Sequence, residues 1–307
     1  MSSSLFFLAV GSAALFVGSE WLISSAKVIA RKLRFSDFVI GLTVVAIGTS
    51  FPELVVGIIS ALGGYSEFVI GNVLGSNIAN IGLALGLPVL FYSIKFQVDD
   101  IRDVIVYNIL ACVYLYFISL DNMISTGDSL GLLLIFSVFM FGRIFRASID
   151  VEPSNGTQVS GNIFPSLVRL LAGSMCLYWG SELFINNGAV PLVRQFGFSE
   201  KAIGMTVVAI GTSLPEIFVT MIALSKKEVG ISLGNIIGSN ILNITFVLGV
   251  VGLINPIVFS NISFELFYGL ILVFLLLPLS LFFGGLNRSS GIFLLLLYTI
   301  FLYLQFS

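Results

Sequence analysis

Apolar stretches of helix length follow one another along nearly the whole chain, separated by short polar or turn-forming breaks. They lie at about 4–26, 36–62, 68–93, 102–120, 127–145, 164–190, 199–224, 229–255, 264–284 and 290–306. A hydrocarbon core about 30 Å thick needs about 20 helical residues to cross it. The pattern therefore predicts an all-α polytopic membrane protein of ten transmembrane spans. It divides into a first half at 1–145, a connector at 146–163 rich in Ser, Gly and Asn, and a second half at 164–307. The opening MSSSLFFLAV has no basic segment and no clear small-residue cleavage site, so it reads as span 1 and not as a removed leader.

Basic residues set the sidedness of such a chain. Lys27, Arg31, Lys32 and Arg34 follow span 1, and Lys95 and Arg102 lie between spans 3 and 4. Arg143, Arg146 and Arg169 flank the connector; Lys226 and Lys227 lie between spans 7 and 8, and Arg288 between 9 and 10. Of the 14 Lys and Arg, only Arg194 and Lys201 fall on the other side. The consistent assignment puts both termini outside and the basic loops in the cytoplasm, for a multi-pass protein of the cell (inner) membrane.

Composition agrees. The chain of 307 residues is 57% hydrophobic and 10% charged, where a soluble domain carries about 25% charged residues. A net charge of −2 gives no reason to expect a nucleic-acid partner; the lipid bilayer is the partner implied, and no obligatory protein partner is evident. Cys112 and Cys176 sit in apolar runs and read as packed thiols. The absence of histidine removes the usual zinc sites and histidine relays. An enzyme would have only two membrane carboxylates to work with, so enzymatic function and a bound cofactor are not expected.

Those carboxylates sit in a repeat. GLTVVAIGTSFPE at 41–53 returns as GMTVVAIGTSLPE at 204–216, and GNVLGSNIAN at 71–80 returns as GNIIGSNILN at 234–243. The offset is 163 residues without a gap, and 23 of 46 positions match between 41–86 and 204–249. The repeats as a whole occupy about 36–93 and 199–255. Five spans separate equivalent positions, and an odd number inverts the second copy in the membrane. The copies diverge most in the loop after Pro-Glu, where Gly63-Gly64 is replaced by Lys226-Lys227. An outside loop facing an inside loop accounts for that difference.

The repeated residues are oxygen ligands. Pro52 cannot donate an amide hydrogen and disrupts the preceding turn, which makes the carbonyls of Val45, Ala46 and Thr49 candidates to lose their helical partners. Unpaired backbone in a bilayer is tolerated only where it lines a cavity or binds something. An ionised side chain at mid-membrane costs at least about 2.5–3.5 kcal/mol, and neither span holding Glu53 or Glu216 offers a Lys or Arg as partner. A hard cation such as Na⁺ or Ca²⁺ supplies the missing charge and prefers oxygen. In the second motif Ser76 and Asn80 share a helix face, as do Ser239 and Asn243. Asn72, Asn77, Asn235 and Asn240 serve equally well as ligands or as glue between helices. Glu20 and Glu182, nearer span ends, read as capping or vestibule residues.

The tandem GTSFPE/GTSLPE and GNxxGSNIxN motifs closely resemble the two α-repeats of the sodium/calcium exchanger family of Ca²⁺/cation antiporters. With their flanking spans they cover essentially the whole chain. The resemblance implies the ten-helix exchanger fold, with ions held by spans 2, 3, 7 and 8 and with spans 1 and 6 sliding to alternate access. It implies Glu53 and Glu216 as central ligands of transported Na⁺ and Ca²⁺. Hydroxyl or carbonyl oxygens of Thr49, Ser50, Thr212 and Ser213 join them, with the Ala46 and Ala209 carbonyls and with Ser76, Asn80, Ser239 and Asn243. Two features depart from many members. Both Asn80 and Asn243 are amides where one is often acidic, which argues against a K⁺-cotransporting subtype. The large calcium-sensing cytoplasmic domain is absent, as in prokaryotic-type members.

The implied function is secondary antiport of Na⁺ for Ca²⁺ by alternating access, with one net charge moved per cycle. The alternatives are H⁺/Ca²⁺ antiport, with the glutamates taking protons, and a passive cation channel. Hydroxyl-rich GTS pairs favour Na⁺ over H⁺, and inverted repeats around a mid-membrane site favour alternating access over a pore.

Overall fold

The computed structural model describes residues 2–33, 35–96, 98–149, 163–189, 191 and 209–306. Its helices are α1 (Ser2–Leu33), α2 (Asp37–Thr49), α3 (Phe51–Leu62), α4 (Ser66–Val89), α5 (Val98–Ile118) and α6 (Thr126–Ile149). The second half holds α7 (Phe164–Glu182), continued by a π-helical stretch Leu183–Ala189, then α8 (Ala209–Thr212), α9 (Leu214–Ser225), α10 (Val229–Ile254), α11 (Ser263–Phe283) and α12 (Arg288–Phe306). Seven of these are each long and apolar enough to cross a membrane, and the bent pair α2–α3 makes an eighth. Every apolar run thus has a helical counterpart, although the first part of span 7, with Lys201 and Arg194, lies outside the described residues.

Boundaries moved where polar residues continue a helix beyond the bilayer. Span 1, expected to end near residue 26, runs to Leu33 with Arg31 and Lys32 in its last turn, where cations complement the helix dipole. Helix α6 reaches Ile149, so the connector expected from 146 begins as helix. Its remainder, 150–162, lies outside the described residues, as does Arg34.

The two halves are fastened together symmetrically. Strand β1 (Ile94–Lys95) pairs antiparallel with β4 (Gly285–Leu286), setting Ile94 opposite Leu286. Strand β2 (Met123–Ile124) pairs with β3 (Ile257–Val258), setting Met123 opposite Val258. A shift of 163 residues carries Ile94 to Ile257 and Met123 to Leu286, so each two-stranded ribbon is the image of the other. In each, one strand comes from each half.

Glycines let helices meet backbone to backbone. A Cβ at Gly18 of α1 would stand 2.9 Å from the Gly173 carbonyl of α7, and one at Gly173 would stand 2.9 Å from the Gly18 carbonyl. Helix α10 meets α2 in the same way: a Cβ at Gly41 would lie 2.6 Å from the Ile231 carbonyl. Two ion pairs, Lys27–Glu228 and Lys226–Glu20, tie α1 to the turn between α9 and α10. Glu20 is thus the partner of Lys226. Glu182 instead accepts from Asn186 at 2.6 Å. Cys112 and Cys176 are free thiols, the first buried.

Candidate functional site

Each Gly-Thr-Ser-x-Pro-Glu breaks its span at the same place. Thr49 ends α2, Ser50 adopts φ −80° and ψ 4°, and α3 starts with Pro52 in its first turn, bending the span by 41°. Ser213 repeats this with φ −88° and ψ 1° ahead of Pro215. Proline is at home in a first helical turn, where an amide hydrogen has no intrahelical partner anyway. Each glutamate consequently lies in the first turn of a new helix.

The break frees less backbone than the sequence suggests. The Ala46 carbonyl keeps the Ser50 amide at 2.9 Å, with the Thr49 hydroxyl 3.3 Å away. The amide hydrogen that Pro52 lacks would have reached the Gly48 carbonyl, so the i−4 bond to Ala46 survives. The Ser50 carbonyl accepts from Leu54 at 3.2 Å, and neither of these bridging bonds engages the Thr49 carbonyl. In the second copy the Ser213 amide reaches the Ile210 carbonyl at 3.2 Å, a tighter turn. Ala209 opens α8, and its side chain lies outside the described residues.

Around these breaks the predicted residues converge. Glu53, Glu216, Thr49, Ser213, Ser239, Asn80 and Asn243 are all at 0% exposure, Ser76 is at 2% and Ser50 at 3%; Ala46 is also buried and Thr212 is half-buried. The Thr49 and Ser239 hydroxyls lie 3.2 Å apart, and the equivalent Ser76 and Thr212 hydroxyls 3.3 Å apart. The carboxylates of Glu53 and Glu216 feel one another electrostatically, with Ser76 beside the first and Thr49 and Ser239 beside the second. Both oxygens of each carboxylate, the Ser50 and Ser213 hydroxyls, and the Oδ1 atoms of Asn80 and Asn243 are buried without a hydrogen-bond partner. Buried polar atoms are ordinarily paired. These are eight unpaired oxygens from both repeats, two of the groups being carboxylates, and their chemistry suits a hard cation.

Helices α4 and α10 widen into π-helical turns at Asn80–Leu85 and Asn243–Val247, each beginning on the motif's last asparagine. Such turns concentrate at functional sites. Asn235, left open between glue and ligand, accepts from the Thr49 hydroxyl at 3.0 Å. Asn77 and Asn240 bond to each other and to Asn243 and Asn80. Their place in the repeated motif was the signal available for them.

Fold and site together define an inverted-repeat membrane protein with a buried carboxylate pair shared between its halves. The profile of the family described as "Sodium/calcium exchanger protein" matches residues 3–145 and 165–307. The sodium/calcium exchanger MaX1 of Methanosarcina acetivorans is 32% identical over 97% of this chain and 97% of its own. An uncharacterized membrane protein of Methanocaldococcus jannaschii is 35% identical over 95% of this chain and 94% of its own. A solved structure of the sodium-calcium exchanger NCX_Mj, soaked with 2.5 mM Na⁺ and 1 mM Sr²⁺, superposes with a TM-score of 0.84. It is 31% identical and covers 98% of this chain and 97% of that one. The chain belongs to the sodium/calcium exchanger family.

Proposed function

We propose that this protein is a secondary antiporter that exchanges Na⁺ for Ca²⁺ across the cell membrane by alternating access. The observation that carries the reading is the pair Glu53 and Glu216, buried at 0% exposure with all four oxygens unpartnered. Two carboxylates balance one Ca²⁺ in charge. Ca²⁺ takes 6–8 oxygen ligands, and the hydroxyls and amide carbonyls of Thr49, Ser50, Thr212, Ser213, Ser76, Ser239, Asn80 and Asn243 supply them, with the Ala209 carbonyl as a further candidate; the Ala46 carbonyl already accepts from the Ser50 amide. Na⁺ is a hard cation served by the same donors. The names of MaX1 and NCX_Mj support the same substrates.

Alternating access requires one group of helices to move against another around the fixed site. The glycine-lined contact of α1 with α7 suits such a movement, because small residues leave no knobs to climb. The excess of Lys and Arg on one side favours both termini outside and the basic loops, with the connector, in the cytoplasm. No resident cofactor is needed: the ions are cargo.

Purified protein in liposomes provides the test. Ca²⁺ uptake is measured under an imposed Na⁺ gradient and then under an imposed pH gradient. Uptake driven by Na⁺ supports the proposal. Uptake driven by the pH gradient alone identifies H⁺ as the coupling ion, and uptake down the Ca²⁺ gradient without either counter-ion identifies a channel.

A further inference from the structure

Four asparagines where α4 meets α10 form a closed circuit of hydrogen bonds. Asn77 Nδ2 donates to the backbone carbonyl of Asn240 at 3.0 Å, and Asn240 Nδ2 donates to the backbone carbonyl of Asn77 at 3.1 Å. Asn80 Nδ2 donates to Asn240 Oδ1 at 3.0 Å, and Asn243 Nδ2 donates to Asn77 Oδ1 at 3.1 Å. All four bonds run between repeats. All four residues are buried.

The polarity of this circuit follows from elementary chemistry. A backbone carbonyl can only accept a hydrogen bond, so Asn77 and Asn240 must turn their NH₂ groups toward it. The amide is planar with its two heavy atoms on opposite prongs. Once NH₂ is committed, Oδ1 of Asn77 faces Asn243 and Oδ1 of Asn240 faces Asn80. Those oxygens can only accept, so Asn243 and Asn80 must in turn present NH₂ to the circuit. Their own Oδ1 atoms are left over, and both are buried without a partner. Two backbone carbonyls thus dictate the orientation of four side chains.

We propose that Asn77 and Asn240 are positioning residues that hold Asn80 and Asn243 with their carbonyl oxygens, and never their amide hydrogens, toward the bound cation. The proposal rests on the reading of Glu53 and Glu216 as the cation site. Without the circuit each amide can rotate by half a turn about its last torsion, where the energy surface is broad and nearly two-fold. A rotated amide offers NH₂ to a cation and repels it. The circuit also sets acceptors against residues 80 and 243, so an ionised carboxylate at either position would meet oxygen with oxygen. That accounts for amides at both. Because each repeat orients the other repeat's ligand, neither half completes its own site.

The test uses the full-length protein in liposomes, reading the KM for Ca²⁺, the maximal rate and inhibition by Na⁺. Asn77→Ala and the symmetric Asn240→Ala are each expected to raise the Ca²⁺ KM by about ten-fold or more, the usual loss when a residue orienting a metal ligand is removed. Maximal rate and thermal unfolding should change far less. Combining Asn77→Ala with Asn243→Ala should be no worse than Asn243→Ala alone, since nothing is left to orient. Combining Asn77→Ala with Asn80→Ala, whose partner is Asn240, should multiply the single effects. If alanine at 77 prevents folding, Asn77→Ser, which keeps a polar group but does not reach residue 243, gives the same readout. An unchanged Ca²⁺ KM, or effects of Asn77→Ala and Asn243→Ala that multiply, overturns the proposal. Glu53→Gln is run in parallel. Retained exchange in that variant overturns the site itself, whereas its loss beside an unaffected Asn77→Ala overturns only the positioning role.

Discussion

The hydroxyls of Thr49 and Ser239 lie 3.2 Å apart although 190 residues separate them in the chain. Thr49 belongs to the first repeat and Ser239 to the second, and both stand beside Glu216. Ser76 and Thr212 repeat the contact at 3.3 Å, with Ser76 beside Glu53. The site is therefore one chamber built at an internal two-fold axis.

Glu53→Gln and Glu216→Gln should each abolish Ca²⁺ exchange while leaving a folded, membrane-inserted protein. Each removes half of the charge that balances a divalent ion, and a neutral amide is cheaper than a carboxylate in the membrane interior. Exchange is measured in proteoliposomes and folding by gel filtration. A glutamine variant that exchanges Ca²⁺ at the parent rate removes the carboxylate pair from the mechanism.

Asn243→Asp should remain foldable but shift ion preference. It adds a carboxylate to a chamber that holds two, and it takes away the hydrogen that Asn243 donates to Asn77 at 3.1 Å. Additional negative charge favours the divalent ion over Na⁺. Competition of Na⁺ against Ca²⁺ uptake should differ from that of the parent. Identical competition curves would place residue 243 outside the ion cage.

Exchange should be electrogenic. With two carboxylates and no third acid, the chamber is neutral when it holds Ca²⁺ and carries +1 when it holds three Na⁺. Four hydroxyl-bearing residues of the GTS pairs favour the latter over two Na⁺. One net charge per cycle makes a potential of 100 mV contribute about 2.3 kcal/mol. Potentials imposed with K⁺ and valinomycin on Na⁺-loaded vesicles should alter the rate and endpoint of Ca²⁺ uptake. Indifference to potential would point to electroneutral exchange.

Gly18→Val should destabilise the contact between α1 and α7. A Cβ there would stand 2.9 Å from the Gly173 carbonyl, and backbone cannot yield as a flexible side chain can. Overpacking of this kind costs about 1–3 kcal/mol. A lower thermal midpoint and slower exchange are expected, and Gly173→Val should behave alike because the contact is reciprocal. By contrast Gly64→Val, in open space but at φ +79°, should strain only its own turn and leave transport near the parent level.

Much of this protein could be read from its residues in order. Helices in a bilayer satisfy their own backbone hydrogen bonds, so each span is a local property, and hydrophobic length alone located them. A gapless repeat at 163 residues with an odd number of spans between its copies made the second half an inverted image of the first. The cost of ionised groups in hydrocarbon singled out Glu53 and Glu216, and motif spacing named most of their neighbours. What depended on contacts between helices could not be read this way. Pro52 made the Ala46 carbonyl a candidate to lose its partner, yet it holds the Ser50 amide, because the amide hydrogen that Pro52 lacks would have reached Gly48 instead. Asn77 and Asn80 lie on one helix, and nothing local says that one turns inward to a backbone carbonyl and the other donates across the axis. A side-chain amide has a donor and an acceptor of nearly equal size. Which one is left without a partner is decided only when α10 arrives with a carbonyl that can do nothing but accept.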